Sequence, residues 1–458
     1  MEKDSLGEVP VPDEALWGAQ TQRAVDNFPV SGRPLPVAFL RALAVLKQAA
    51  ARANAELGVL DPKLAEAIAE AAQEVVEGKW DAQFPVDVFQ TGSGTSTNMN
   101  LNEVLSNLAI RRLGGKVGSR IPVHPNDHVN LGQSSNDMIP SAAHLSALMQ
   151  IRAALLPALE TLAEALEDKA KAFDHVVKLG RTHLQDATPV RLGQAFGGYA
   201  SQIRHGIERI QRAALDLEEL AVGGTAVGTG LNAHPDFARR VCLHAAKAAG
   251  VPLREADNHF EAQSGRDAMV SVSGALKTLA CSLIKIANDV RWMASGPRAG
   301  LGEIVLKDLQ PGSSIMPGKV NPVMCEVVCQ VSAQVIGNDA AITVAGQAGN
   351  FELNVMIPVM VRNLLESIAL MASASTLFAQ RAVAGIQANE ARCLELALKS
   401  DAMVTSLAPH IGYDKAAALV KESHKLGRTI LELARERKIL APDVLEKALD
   451  PRRMTGPG

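Results

Sequence analysis

Two serines, a lysine and an asparagine share one short segment punctuated by glycine and proline, GSSIMPGKVNP, from Gly312 to Pro322. Consecutive Gly, Ser and Pro residues leave backbone N–H groups free to turn toward a negative ligand. Lys319 adds a point charge, and Ser313 an oxygen that serves as a base once its proton is removed. A carboxylate is the natural guest. A nucleoside triphosphate fits poorly, because the phosphate loop G-x-x-x-x-G-K-[ST] needs four residues between its glycines and a hydroxyl after the lysine. Here five residues separate Gly312 from Gly318, and Val320 follows Lys319. An ordinary turn ahead of a buried helix uses the same residue types, so other segments must decide.

Three further loops concentrate polar side chains. TGSGTSTNMNLNEV, from Thr91, offers Ser93, Gly94, Thr95 and Asn98, with glycines that let backbone approach a ligand. It also suits a capped helix start with Thr95 or Thr97 as N-cap. HPNDHVNLGQSSND, from His124, packs His124, Asn126, Asp127, Asn130, Ser134, Ser135, Asn136 and Asp137 into fourteen residues. His124 and His128 suggest a metal pair only on a helix face. Pro125 and Asn126 predict a turn instead, which favours recognition by neutral polar groups. GRTHLQDATPV, from Gly180, holds Thr182 and His183 just before a long helix. A lone histidine is more often structural than chemical. The candidate partner Glu326, at the start of the helix after the serine loop, tilts the reading, since a carboxylate holding one imidazole nitrogen makes the other a better base.

These loops need rigid elements to hold them, and the composition points to helices. Aromatic residues make up 3% of the chain while Ala and Leu dominate, which disfavours a large sheet. From Ser141 to about Phe173, Leu145, Leu148, Met149, Leu155, Leu156, Leu159, Leu162 and Leu166 recur mainly at spacings of three and four, predicting one long amphipathic helix. Segments 190 to 220, 264 to 294, 322 to 346 and 357 to 384 read similarly, and the middle ones are apolar nearly all round. Such helices need burial on every side. The expected class is all-α, a long five-helix bundle over 134–388 packing with other copies into a homo-oligomeric helical core. Residues 1–133, with shorter helices at about 38 to 56 and 62 to 77, read as an N-terminal domain. Residues 389–458, with short helices at 413 to 422 and 426 to 437, read as a small C-terminal domain with a frayed tail.

The chain has 458 residues, 47% hydrophobic, with 46 basic against 49 acidic side chains for a formal charge of −3. That balance, without a sustained basic run, argues against a nucleic-acid partner. Cys242, Cys281, Cys325, Cys329 and Cys393 sit singly inside apolar stretches, which fits a reduced, cytosolic setting. Cys325 and Cys329 are spaced as one helical turn, but no second Cys/His pair completes a tetrahedral metal site, and they read as small buried apolar side chains. The opening MEKDSLGEVPVPDEALWGAQ has neither a signal core nor a transit pattern. No uninterrupted apolar run reaches the roughly 18 residues of a membrane span, so a soluble protein with no membrane partner is expected.

Taken together, these loops resemble the fumarase and aspartase superfamily, and most closely class II fumarase. The resemblance runs from WGAQTQRAV near the N-terminus to the C-terminal segment. GSSIMPGKVNP matches the superfamily signature, and TGSGTSTNMN, HPND, QSSND and GRTHLQDATP match the fumarase forms of the other loops. His183 discriminates within the superfamily, since aspartases carry glutamine after GRT and usually STND in place of SSND. The chain departs from the usual spelling at His128, Leu131 and Gly132, where acidic, lysine and serine residues are common, and at Val323 and Met324.

The resemblance implies a cofactor-free fumarate hydratase of the tricarboxylic acid cycle, a cytoplasmic homotetramer whose active sites are each built from loops of three subunits. It implies Ser313 as the base toward carbon, Lys319 and Asn321 as stabilisers of an aci-carboxylate intermediate, and His183 oriented by Glu326 on the oxygen side. It further implies that Ser93, Gly94, Thr95, Ser134, Ser135, Asn136, Thr182, Ser314 and Val320 hold the substrate, fumarate or L-malate. His124, Pro125, Asn126 and Asp127 mark a second dicarboxylate site. No metal is implied. The nearest rival is an ammonia-lyase acting on aspartate, and a rival of another class is an inactive helical scaffold.

Overall fold

The computed structural model describes residues 1–457, which fall into two compact units. One comprises Met1–Pro157, Glu208–Ala280 and Ala333–Ala372, the other Ala158–Ile207, Cys281–Ser332 and the described residues from Ser373 onward. Helices dominate both, and the described strands pair only as five two-stranded ribbons.

In the first unit the Val37–Glu56 helix is buried along most of its length and packs against Pro62–Val76, Ser135–Gln150 and Phe237–Ala249. Pro62–Val76 starts where its sequence says it should: the Asp61 carboxylate accepts from the N–H groups of Lys63 and Leu64, and Pro62 occupies the first turn. Thr95–Arg112 packs on Pro62–Val76 and buries an unusual row of polar side chains, among them Asn98, Asn100, Asn102 and Glu103. Those residues hide the helical periodicity, so the sequence shows a capped helix start there as one of two readings but not the length of the helix. Thr95 is its first helical residue and neither Thr95 nor Thr97 is the N-cap; Gly94 takes that place at φ 72°. A β-carbon on Gly94 would lie 2.8 Å from the Ile139 side chain.

Gly92 is still more constrained. Its carbonyl accepts from the Ile357 N–H at 3.0 Å, and a β-carbon would stand 1.7 Å from the Val355 carbonyl oxygen. Because the obstacle is backbone, Gly92→Ala should destabilise the fold by about 1–3 kcal/mol or more. The midpoint of urea unfolding is the measurement, and an unchanged midpoint would contradict this packing.

In the second unit the strands Val177–Thr182 and Gln185–Arg191 form an antiparallel hairpin. The sequence shows no such hairpin, reading GRTHLQDATPV as a loop. Its two turn residues are His183 at φ 56° and Leu184 at φ 59°. Left-handed backbone at both centres is the turn that matches strand twist, but Asn-Gly is its usual content. A histidine and a leucine there are conformationally unfavourable, which hides the turn from sequence patterns. The helix Glu390–Lys399 packs on the first strand, and the turns Asp401–Ser406 and Pro451–Met454 pack on the second. Met403, Leu407, Leu419, Ile430, Leu433 and Leu445 form the separate core of the C-terminal segment.

The long helices are present. The first runs from Ser135 through a wide turn at Ile151–Leu155 to Ala172; the others are Leu192–Ala214, Asp267–Met293, Val323–Gly346 and Ile357–Leu377. Each contributes residues to both units. Four segments, Ser135–Ala172, Asp267–Met293, Val323–Gly346 and Ile357–Gly385, are long and apolar enough to cross a membrane by length and composition. The unbroken-run criterion misses them, because scattered polar residues such as His144 and Glu366 interrupt stretches whose average remains apolar. Only 33% of the most apolar window of Val323–Gly346 is buried within the chain.

Candidate active site

The first unit gathers the serine and threonine hydroxyls. Ser93 Oγ lies 2.8 Å from Thr95 Oγ1, which lies 2.7 Å from Ser135 Oγ, so residues forty positions apart share one hydroxyl chain. Ser134 caps the Ser135–Gln150 helix in a reciprocal box with Asp137. Asn136 sits in the first turn and donates to the Ala226 carbonyl at 2.8 Å. Hydroxyls and helix-start N–H groups on one side form a donor-rich rim that suits a carboxylate. Asn98 does not join them: it is 2% exposed and donates inward to Asn130.

The support beneath that rim is absent from any sequence motif. Lys47 is fully buried, and its ammonium donates to Asn130 Oδ1 and Gln133 Oε1, both at 2.9 Å. Asn130 Oδ1 also accepts from Asn98 and Asn102. The segment between His124 and Ser134 is therefore held from below by one cation. Burial pushes Lys47 down to about 7, the charge of Asp137 opposing. Asp137 accepts from the N–H groups of Ser134, Gly223 and Thr225, yet burial outweighs these bonds and pushes it up to about 6.

A lysine with its pKa lowered by folding makes the native state less stable wherever it must stay charged. Its favourable contribution is present at high pH and is lost as pH falls through about 7. Unfolding free energy should therefore rise between about pH 7 and pH 10, with a slope from Lys47 of up to about 1.4 kcal/mol per pH unit. Lys47→Met should remove that part of the slope. Equal slopes for the two proteins would refute the assignment.

His124 caps the wide turn Pro125–Val129, as Pro125 and Asn126 predict. Its Nδ1 accepts from the N–H groups of Asn126 at 3.3 Å and Asp127 at 3.1 Å. The Asp127 carboxylate also approaches this nitrogen at 3.3 Å. Two inward-pointing N–H donors require an unprotonated Nδ1, so that approach is not a charge pair and Nε2 carries the proton. His128 accepts from the His124 N–H through its own Nδ1 at 2.8 Å. The unusual histidine thus shapes the turn.

The second unit holds the serine loop. Ser313 Oγ accepts from the N–H groups of Ile315 at 3.2 Å and Met316 at 3.0 Å. The loop closes on itself: Gly312 N–H donates to the Lys319 carbonyl at 2.8 Å, and Asn321 Nδ2 donates to the Gly312 carbonyl at 2.9 Å. Lys319 Nζ donates to Asn321 Oδ1 at 2.9 Å. Gly312 is required, since a β-carbon would stand 2.5 Å from the Lys319 oxygen. Ser314 and Val320 lie on the exposed part of the loop, where Ile315 is 84% exposed. Beside it lies a cavity of about 630 Å³, lined in part by Lys319, Asn321, Asn288, Arg291 and Trp292. Asn288 and Arg291 were not found in the sequence, being single polar residues on a long helix with nothing in their spacing to mark them.

Thr182 ends the first hairpin strand and His183 begins its turn, both exposed. Arg181, one residue earlier, is anchored by Glu303, which is wholly buried and also faces Lys178 at 3.4 Å. Glu326 lies in the first turn of Val323–Gly346. Among the described residues no hydrogen bond or ion pair joins it to His183 within the chain. Cys325 is buried, and burial pushes its thiol up to about 12, while Cys329 is half-buried.

A fold of long helices carrying an exposed serine, lysine and asparagine loop defines a lyase class, and the comparisons agree. The Lyase family model matches residues 7–337, and the Fumarase C C-terminus model matches 403–456. A class II fumarate hydratase of Halobacterium salinarum is 56% identical over 100% of this chain and 97% of its own. The mitochondrial fumarate hydratase of Homo sapiens is 51% identical over 100% of this chain and 90% of its own. Among solved structures, the class II fumarase of Schistosoma mansoni superposes with a TM-score of 0.96 at 41% identity, covering 99% of this chain and 98% of that one. A fumarate lyase:delta crystallin of Brucella melitensis gives 0.92 at 43% identity, over 98% and 99%. The chain belongs to the lyase family, and within it to the class II fumarate hydratases.

Proposed function

We propose that this protein is a fumarate hydratase that interconverts fumarate and L-malate without a cofactor. The observation that carries the reading is Ser313, whose oxygen accepts two backbone N–H groups in a loop that also presents Lys319 and Asn321. The matches to fumarate hydratases along the full chain support it.

The difficult step in the malate direction is removal of the C3 proton beside a carboxylate that is already negative. Ser313, as an alkoxide stabilised by the N–H groups of Ile315 and Met316, takes that proton. The electron pair left on carbon moves into the adjacent carboxylate as an aci-carboxylate, whose added charge Lys319 and Asn321 meet. Collapse of that pair forms the C2–C3 double bond and expels the C2 hydroxyl, which leaves as water with a proton from His183. Hydration runs the same steps backward. His183 works with Glu326, and the two are supplied by different subunits of a homotetramer whose sites draw on three chains. The sparse burial of Val323–Gly346 within one chain supports that assembly.

Ser93, Gly94, Thr95, Ser134, Ser135, Asn136, Thr182, Ser314 and Val320 hold the two substrate carboxylates and the hydroxyl. His124 to Asp127 form a second dicarboxylate site, to which His124 offers its Nε2–H. The chain is organised as an N-terminal domain to about residue 133, central long helices to about 388 and a C-terminal domain. It works in the cytoplasm, where its five free thiols stay reduced.

Ultraviolet detection of fumarate made from L-malate or from L-aspartate by the purified protein tests the reaction. Turnover of malate alone is expected. Turnover of aspartate would make it an ammonia-lyase, and turnover of neither would leave a scaffold.

A further inference from the structure

Away from the loops above, the first unit contains a small polar cavity of about 200 Å³. It is walled by His144 from the Ser135–Gln150 helix, by Asp216, and by the junction where the short helix His259–Ser264 meets Asp267–Met293. Arg266 sits at that junction. It is 1% exposed, and its Nη2 donates to the Ala262 carbonyl. Its Nε and Nη1 have no hydrogen-bond partner. A buried guanidinium with two unused donors is an unfavourable arrangement unless a guest supplies acceptors.

The rest of the wall is of the opposite character. The side chains of Asp216, Glu261 and Asp267 make no hydrogen bond or ion pair among the described residues. Glu219 is already paired with Arg254 and so adds little net charge. His144 places Nδ1 2.8 Å from the Glu219 carbonyl, which makes that nitrogen the donor and leaves Nε2 as an acceptor. Burial, with the Arg266 charge second, pushes His144 down to about 4, so it is neutral at pH 7.

Each simple ligand class fails one half of this wall. A dicarboxylate such as malate would satisfy Arg266 but face three carboxylates. A simple ammonium would suit the carboxylates and leave Arg266 unpaired. We propose that the cavity binds a small zwitterion, an α-amino acid about the size of alanine, with its carboxylate on Arg266 and its ammonium among Asp216, Glu261 and Asp267. The volume fits, about 200 Å³ being on the order of seven water volumes at about 30 Å³ each. The site is distinct in residues and in ligand charge from the dicarboxylate sites, so it stands whether or not the proposed reaction does.

Isothermal titration of the full-length protein with L-alanine is the test, with propionate and ethylamine as the two half-ligands. Saturable binding of L-alanine is expected, weakened at least tenfold in Arg266→Gln and also in Glu261→Gln, while each half-ligand binds at least tenfold more weakly than alanine. Glu261 is exposed, so its variant should fold even if Arg266→Gln does not; unchanged circular dichroism checks both. Absence of saturable heat, equal binding by propionate, or undiminished binding in Glu261→Gln would each overturn the proposal. So would a crystal soaked in L-alanine that shows only water against Arg266.

Discussion

Ser313→Ala is expected to lower kcat for malate dehydration by about 10³-fold, within the range for loss of a positioned proton acceptor, and to leave KM little changed. The substitution removes one oxygen. The loop closure from Gly312 to Lys319 and the Lys319–Asn321 hydrogen bond do not involve that oxygen, so loop shape should persist. The N–H groups of Ile315 and Met316 lose their acceptor, but the loop is exposed there and water can replace it. A role in binding alone would raise KM with kcat retained. Steady-state kinetics therefore separate the two roles, and a variant keeping more than a tenth of kcat would rule out Ser313 as the base.

Glu303→Ala should produce the largest loss of stability, about 3–5 kcal/mol. Glu303 is completely buried and carries the only carboxylate that pairs with Lys178 and Arg181 among the described residues; those two are 8% and 15% exposed. Removing it leaves two cations facing each other out of water. Burial already holds the Lys178 ammonium below its usual range, with Glu303 the leading opposing influence. The expected readout is a large fall in the urea midpoint. Activity should fall too, because the hairpin that Arg181 anchors carries Thr182 and His183. Replacing Lys178 and Arg181 by methionine in the same protein should restore much of the stability, since an apolar set avoids the desolvation of charge. A midpoint shift equivalent to less than about 1 kcal/mol for Glu303→Ala would mean that solvent reaches the triad.

Legibility in the sequence depended on distance along the chain. The Ser313 loop, the His124 turn and the long helices were readable because each is local: a few consecutive residues set the backbone, and a spacing of three and four sets a helix face. Pro62–Val76 was announced by Asp61 and Pro62. The helix start at Thr95 was one of the two readings the sequence allowed, but the extent of Thr95–Arg112 was concealed by its buried asparagines, which donate to Asn130 and to the Gln83 carbonyl and break the apolar period. The hairpin was concealed by the His183–Leu184 turn, whose left-handed backbone is imposed by the strands and the helix packed on them, not by the two residues themselves.

By itself, then, the sequence determined the helical class and the family to which the chain belongs, because hydrophobic period and loop composition act over one or two turns. Only the tertiary structure decided which distant groups meet: Ser93 and Thr95 with Ser135, Lys47 with Asn130, Arg181 with Glu303, and Arg266 with a cavity that leaves two of its donors free. The reason is physical. A buried charge or hydroxyl is satisfied by whatever the packed helices bring within about 3 Å, and helix packing places residues there without regard to their separation in the chain.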